Sequence, residues 1–423
     1  MSSPDSIQIR GWCPSTWRPM QAQDGWIVRV RPHCASLTAA QWLVLAKLAQ
    51  THAAPQIELT RLGNVQLRGV HESALPALRS ELIASGLAPA DEQADLAPAV
   101  HCTPFYATGD RSHALAQALS AAAVRYLSPL ALRKQSAGAL PGKFGMLVDD
   151  PERRLRSMSS DLHLWAAHDG SYGLALGQAD ECYYFESDEH AVQAAIQVAR
   201  WFARERMTSA ARPAARLHHL LKSRTPNAPA LGAARHYAIW ANEGAGPLRP
   251  GTPNPQGLLI GAPLGRVDAP AMQKLAAGLP AHSEIRVTPW KSLLVLHEES
   301  PAPVPLRHAS QWITRPTDMR LRVSACTGAP GCPQAHIPAQ SMALQIADWL
   351  LADQHLHISG CAKLCALPAD ATHIVFAGTD ASGQVWLNTG PAGPQQRPLP
   401  ATRYRASSSD LHDIQQQLHD PHL

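Results

Sequence analysis

The sequence predicts an α+β fold in which one plan of α/β-type units is written twice, giving a molecule of approximate twofold symmetry. Three observations carry this. A strand–helix–strand pattern at residues 25–70 returns at 257–297, a helix followed by a β run and a hairpin also occurs twice, and only the later copy holds paired cysteines. At 423 residues and 45% hydrophobic content the chain exceeds one ordinary core, and about 150 residues per unit gives two or three units.

In the first pattern, GWIVRVR from Gly25 alternates apolar and basic residues as a half-buried strand does. Thr38 and Gln41 have capping-box spacing, Trp42, Leu45, Ala46 and Ala49 keep helical spacing, and the runs from Ile57 and Val65 read as strands. The copy runs GLLIGAPLG from Gly257, a helix capped by Asp268 and continuing through Leu279, then IRVTPWKSLLVLHE from Ile285. The second unit has a helix from Asp110 to Tyr126, the line LPGKFGMLVDD and the hairpin DLHLWAAHDGSYGLAL. Its counterparts are a helix at 340–352, LHISGCAKLC and THIVFAGTDASGQVWL. Helix 189–206 lines up Val192, Ala195, Ile196, Ala199 and Phe202 to close the first half, and 207–235, rich in Arg, Pro and Ala, reads as a connector.

Net charge is +4 with no lysine/arginine run, so no nucleic-acid partner is expected. The start MSSPDSIQIRGW has no signal-peptide pattern, and no stretch has 18 uninterrupted apolar residues, which predicts a cytoplasmic protein with no membrane partner. Cys13, Cys34, Cys102 and Cys182 are scattered singly and read as buried thiols. The 21 histidines include no convincing metal pair: His218 and His219 are adjacent, and His355 and His357 should share a strand face.

The paired cysteines are Cys326 and Cys332, five residues apart around a Gly/Pro turn, and Cys361 and Cys365, three apart, after a β-like run ending at Gly360. Two close pairs separated by a folded segment can bring four thiolates to one 4Fe-4S cluster. Structural zinc uses pairs two to four residues apart, which the first pair does not satisfy.

The words ACTGAPGC at 325–332, SGCAKLCA at 359–366, GAPLGRVDA at 261–269 and RVTPWKSLLV at 286–295 resemble precorrin-3B synthases. These are the cobalamin-pathway branch of the sirohaem-type nitrite/sulfite reductase superfamily, and the resemblance spans nearly the whole chain. It implies a pseudo-twofold nitrite/sulfite reductase-like fold, with ferredoxin-like half domains at 20–90 and 236–305. Two α/β cluster-type domains, at 96–206 and 306–400, flank them, and only the second holds the cluster, on Cys326, Cys332, Cys361 and Cys365.

The implied activity is an iron–sulfur oxygenase converting precorrin-3A to precorrin-3B by C20 hydroxylation and γ-lactone formation. It implies O2, NADH-derived electrons and a mononuclear non-haem iron, whose ligands the sequence does not identify. No G-x-G-x-x-G follows a strand, so an external reductase is expected to deliver the electrons. A macrocycle rimmed with acetates and propionates needs basic and amide side chains. The candidates are Arg61, Asn64, Gln66, Arg68, Lys143, Lys291 and Lys363.

Departures from the pattern bear on the alternatives. The arginine that relatives place directly before Gly63 stands one position early, at Arg61, with Leu62 between, and a one-residue slip in a strand turns a side chain to the opposite face unless a bulge corrects it. Gly142 and Gly145 replace basic residues of the reductases, and Leu364 stands where relatives have glycine. Reductases need a cationic cluster over the iron, so its depletion disfavours sirohaem and a sulfite or nitrite reductase, the first alternative. The second is a paralogue that keeps the cluster for tetrapyrrole binding or electron transfer without catalysis.

Overall fold

Apolar residues spaced by two and by three to four build four sheets with helices laid on them. The computed structural model describes residues 12–135, 138–177, 182–207, 213–233, 235–237, 245–296, 310–364, 366–379, 385–391 and 402–405. The fold is a duplicated nitrite/sulfite reductase-like one: two ferredoxin-like half domains sharing a core, and two α/β domains.

The half domains exchange strands. The first sheet runs, in spatial order, Met20–Ala22, Gly25–Val30, Val65–Val70, Gln56–Leu59 and, from the later copy, Arg266–Asp268. The second runs Gly257–Gly261, Ser292–Leu296, Glu284–Val287 and, from the earlier copy, Ser36–Thr38. Helices Ala39–His52 and Ala269–Ala277 pack together, so Trp42, Leu45, Met272 and Leu275 lie in a single core. Trp42 also donates its indole N–H to the Ile285 carbonyl at 3.2 Å.

The capping box forms as the sequence indicates: the Gln41 N–H donates to Thr38 Oγ1 at 3.2 Å, and the Thr38 N–H to Gln41 Oε1 at 3.0 Å. Its counterpart differs. Asp268 is the N-cap residue but makes no side-chain cap bond; its carboxylate accepts from Gln56 Nε2 at 3.3 Å, and the helix stops at Ala277 rather than Leu279, where Gly278 caps it.

The α/β domains repeat one topology. The first sheet has Ala99–Cys102, Gly145–Asp149 and Leu162–Ala166 in parallel, followed by antiparallel Tyr172–Leu176, Cys182–Phe185 and Arg235–Tyr237. The second has Val323–Ala325, Leu356–Ser359 and His373–Thr379 in parallel, then Val385–Pro391 and Thr402–Arg405 antiparallel. The first parallel crossover of each sheet contains a helix, Arg111–Leu127 in one copy and Ala339–Ile346 in the other. The second is shorter than the 340–352 read from sequence, because a 3₁₀ turn takes over at Ala347–Trp349. Helix Asp188–Glu205 buries the apolar face expected of it. Within the connector, helix Leu217–Leu221 buries Leu217 and Leu220 against the first α/β domain.

Candidate cluster and tetrapyrrole site

Both described cysteine segments start at the carboxyl ends of parallel strands, where α/β sheets commonly place their ligands. Cys326 directly follows Val323–Ala325, and Cys361 follows Leu356–Ser359 by two residues. The loop is tightly folded: the Cys332 N–H donates to Gly328 O at 2.9 Å and the His336 N–H to Gly360 O at 2.8 Å. A side chain at Gly360 would stand 2.5 Å from Ala335 Cβ, so only glycine lets these segments meet.

The sulfurs are served by donors. The Gly360 N–H points at Cys326 Sγ at 3.1 Å, and the Ser359 hydroxyl lies 3.9 Å from the same atom. Burial pushes the Cys361 thiol up, as do Cys326 and Cys332 beside it, while the Lys363 N–H and ammonium work against the rise. Clustered thiols with N–H donors and a nearby cation suit an anionic iron–sulfur cluster. Cys365 lies outside the described residues. Among the described residues, Cys326, Cys332 and Cys361 included, no three His, Cys, Asp or Glu are grouped so as to hold a metal ion, and the implied mononuclear iron has no ligand set there.

A cavity of about 1000 Å³ opens between the first half domain and the first α/β domain. Arg18, Arg29, Arg31, Lys143, Arg206 and Arg216 line it, with Leu96, Leu132 and Phe144 among its apolar walls and no Asp or Glu. The Nε–H of Arg29 is buried without a partner among the described residues. His101 also lines the cavity; burial, and then the Arg31 charge, hold its pKa at about 4, so its ring is neutral at pH 7. Arg216 is already paired with Asp161 at 2.9 Å; the other cations, over apolar walls, suit a flat amphiphile carrying several carboxylates.

A chain of hydrogen bonds and one longer ion-pair contact runs from this cavity to the cysteine loop. Arg29 donates to Gln66 Oε1 at 2.9 Å, and Gln66 to Glu58 Oε2 at 2.6 Å. Glu58 lies 4.0 Å from Arg68, which donates to Asp24 and to the Gly331 carbonyl at 2.8 Å. A second tie to an α/β domain is Arg286, 1% exposed, which donates to the Pro104 and Tyr106 carbonyls.

Of the residues picked from sequence, Asn64 and Lys143 line the cavity, Gln66 and Arg68 belong to the chain, and Lys363 lies beside Cys361. Arg61 is placed differently from the strand that its spacing was judged against. It is exposed in a turn whose Gly63 N–H donates to Thr60 O at 3.1 Å, so face alternation does not govern it. The equivalent turn in the copy carries Lys291 at φ +58°, where the first has Gly63 at +68°. Burial, with Arg61 next, lowers the Lys291 pKa, and its charge reaches His357. His357 is fully buried: Nδ1 lies 2.8 Å from Ser324 Oγ, while Nε2 has no partner among the described residues. His355 precedes that strand and pairs with Asp370 at 3.4 Å, so the two histidines do not form one face.

Sequence reasoning missed Arg18, Arg29, Arg31, Arg206 and Arg216. Only the GWIVRVR alternation carried a signal: Val28 and Val30 enter the core, which leaves Arg29 and Arg31 on the cavity face.

The family model "Nitrite/Sulfite reductase ferredoxin-like half domain" matches residues 19–85. The structure of the Mycobacterium tuberculosis NirA protein superposes with TM-score 0.60 at 17% identity, over 90% of this chain and 77% of that one. The chain has the nitrite/sulfite reductase fold. Its sequence is similar to a precorrin-3B synthase of Sinorhizobium sp, 28% identical over 384 residues, covering 85% of this chain and 79% of the relative. Among the described residues of this nitrite/sulfite reductase-like protein, no helix is long and apolar enough to cross a membrane.

Proposed function

We propose that this chain is a precorrin-3B synthase-type oxidoreductase that binds precorrin-3A in the cationic cavity and hydroxylates it at C20 with γ-lactone formation. The observation that carries the reading is the cavity of about 1000 Å³ lined by six cations, of which Arg216 is paired with Asp161, in a chain similar over 85% of its length to a precorrin-3B synthase. Cys326, Cys332, Cys361 and Cys365 would hold a 4Fe-4S cluster, which when bound supplies single electrons for reaction with O2. An external reductase passing on NADH-derived electrons is part of the proposal.

The residues of the chain bind and orient. Arg18, Arg29, Arg31 and Lys143 engage the acetate and propionate rim by charge-assisted hydrogen bonds, with Asn64 adding an amide. Arg29, held by Gln66 at the cavity wall, offers its guanidinium to one rim carboxylate. Gln66, Glu58 and Arg68 fix Arg29 relative to the cysteine loop, so binding and the redox centre share one scaffold.

The test is anaerobic purification with visible absorption, EPR after dithionite, and iron and sulfide analysis, then incubation with precorrin-3A, O2 and a reductase. The expected outcome is about four irons and four sulfides per chain, no sirohaem bands and conversion to the hydroxylactone. Cys361→Ser should lose the cluster. Arg29→Ala should keep it but raise KM about tenfold or more, the worth of one hydrogen bond to a charged group. Sirohaem absorption would replace this reading with a reductase, and binding without turnover would replace it with a carrier.

A further inference from the structure

A second cavity, of about 550 Å³, adjoins the first, and two cysteines outside the cluster segments line it. Cys34 sits in the turn before the exchanged strand Ser36–Thr38, and Cys102 ends the first parallel strand of the first α/β domain. The two are 4% and 6% exposed, belong to the same buried cluster and line the same cavity wall. Tyr106 holds the turn by donating its hydroxyl to Cys34 O at 2.9 Å.

The copy shows that packing does not require thiols here. The corresponding turn carries Leu264, at φ +55° where Cys34 is at +47°, and the corresponding strand ends in Ala325. Leu264 packs on the apolar core that contains Ala325. An aliphatic pair therefore fills this junction in one half, while the half that faces the cavities has two sulfurs.

We propose that Cys34 and Cys102 form a second redox site, a thiol pair that hydrogen peroxide oxidises to an intramolecular disulfide. Cys34 is the attacking sulfur. Its pKa is lowered to about 5, chiefly by the hydrogen bond from Cys102, with His33 and His113 adding to the effect against the cost of burial. Cys102 is pushed well up by the same bond and by burial, although Arg286 opposes this, so it keeps its proton. Asp110 also bears on Cys102, and Glu284 lines the same cavity.

The Cys34 thiolate displaces hydroxide from the peroxide, giving Cys34 sulfenic acid. The Cys102 sulfur then attacks Cys34 Sγ, forming the S–S bond; its proton leaves with the sulfenic oxygen as water. Two thiol sulfurs are oxidised by two electrons and one peroxide is reduced, and hydroxide and water are the products. A low-pKa thiolate beside a resolving thiol is the arrangement peroxide sensing needs. Near-complete burial restricts entry to the cavity, which suits a small oxidant and excludes a bulky disulfide.

The experiment treats the purified holoprotein with hydrogen peroxide or oxidised glutathione, alkylates remaining thiols under denaturing conditions and maps the peptides by mass spectrometry. Peroxide should join the Cys34 and Cys102 peptides, and dithiothreitol should release them; oxidised glutathione should not join them. Cys102→Ser should accumulate a dimedone-reactive sulfenic acid at Cys34, whereas Cys34→Ser should leave Cys102 reduced. Because the linked peptide is read on the wild-type chain, a misfolded variant cannot mimic success. Full alkylation of both residues after peroxide, or equal oxidation of Cys13 and Cys182, would overturn the proposal, and linkage by glutathione disulfide would overturn the choice of oxidant.

Discussion

Leu364 shows how one backbone angle explains a departure visible in the sequence. Its φ is +51°, in the left-handed region that glycine enters freely and a γ-branched residue enters at a cost of about 1 kcal/mol. Leu364→Gly should therefore stabilise the cluster-side domain by about 1 kcal/mol, seen as a higher urea midpoint and slower loss of cluster absorption in air. An unchanged midpoint would mean that the leucine contacts offset the strain. The first α/β domain offers a different test, because Thr103 stands where the second has Cys326: each N–H donates to the next parallel strand, to Val148 O and Ile358 O. In place of a thiol, Thr103 donates its hydroxyl to the buried Asp150 carboxylate at 3.0 Å, with Arg154 Nη1 at 3.3 Å. Burial, and then the neighbouring Asp149, raise the Asp150 pKa to about 7. The folded chain thus holds a proton that the unfolded chain releases near 4. In this window the native state binds more protons, so stability falls as pH rises from about 4 to about 7 and levels off above. Asp150→Asn should show a flatter urea midpoint between pH 5.5 and 8 than wild type; parallel curves would mean Asp150 is ionised throughout.

At the scale of elements, local signals were legible where one segment settles its own structure. Thr38 with Gln41 marks a helix start by contacts within four residues, and the apolar spacing of Val192, Ala195, Ile196, Ala199 and Phe202 marks a helix face; both form. The cysteine words were legible for the same reason, since the strand ends are written directly into them. Two readings held only in part where a longer-range partner or a turn intervened. Asp268 bonds Gln56 across the exchanged strands instead of capping its own helix, and residues 60–63 close a turn rather than extend a strand. The cationic cavity was barely legible: its arginines come from the segment before the first strand, the Gly25–Val30 strand and beyond it, the end of Asp188–Glu205 and the connector. No window holds that set, and only Asn64 and Lys143 of the candidates named from sequence line it.

For the whole molecule, the duplication is more than a repeat of architecture, because neither half completes its own sheet. Ser36–Thr38 pairs with Glu284–Val287, and Arg266–Asp268 pairs with Gln56–Leu59. Trp42, 0% exposed, packs in a core that includes Met272, Ile285 and Val287. Arg68 then reaches the loop of the second α/β domain and Arg286 that of the first, so polar contacts tie the four units together. A chain ending within the connector would expose half of this core and two unpaired strand edges, which favours aggregation. Residues 1–235 and 236–423 expressed separately should therefore be insoluble, and co-expression should recover a soluble complex. In the intact chain, Trp42→Ala should cost about 3–5 kcal/mol, and tryptophan fluorescence and far-UV circular dichroism should report one shared, shifted transition in urea. The alternative is independent halves. A soluble 1–235 fragment with a cooperative transition of its own, or a Trp42→Ala chain in which one half melts early while the other keeps the wild-type midpoint, would show that the exchanged strands are dispensable and that the shared core does not couple the cavity half to the cysteine half.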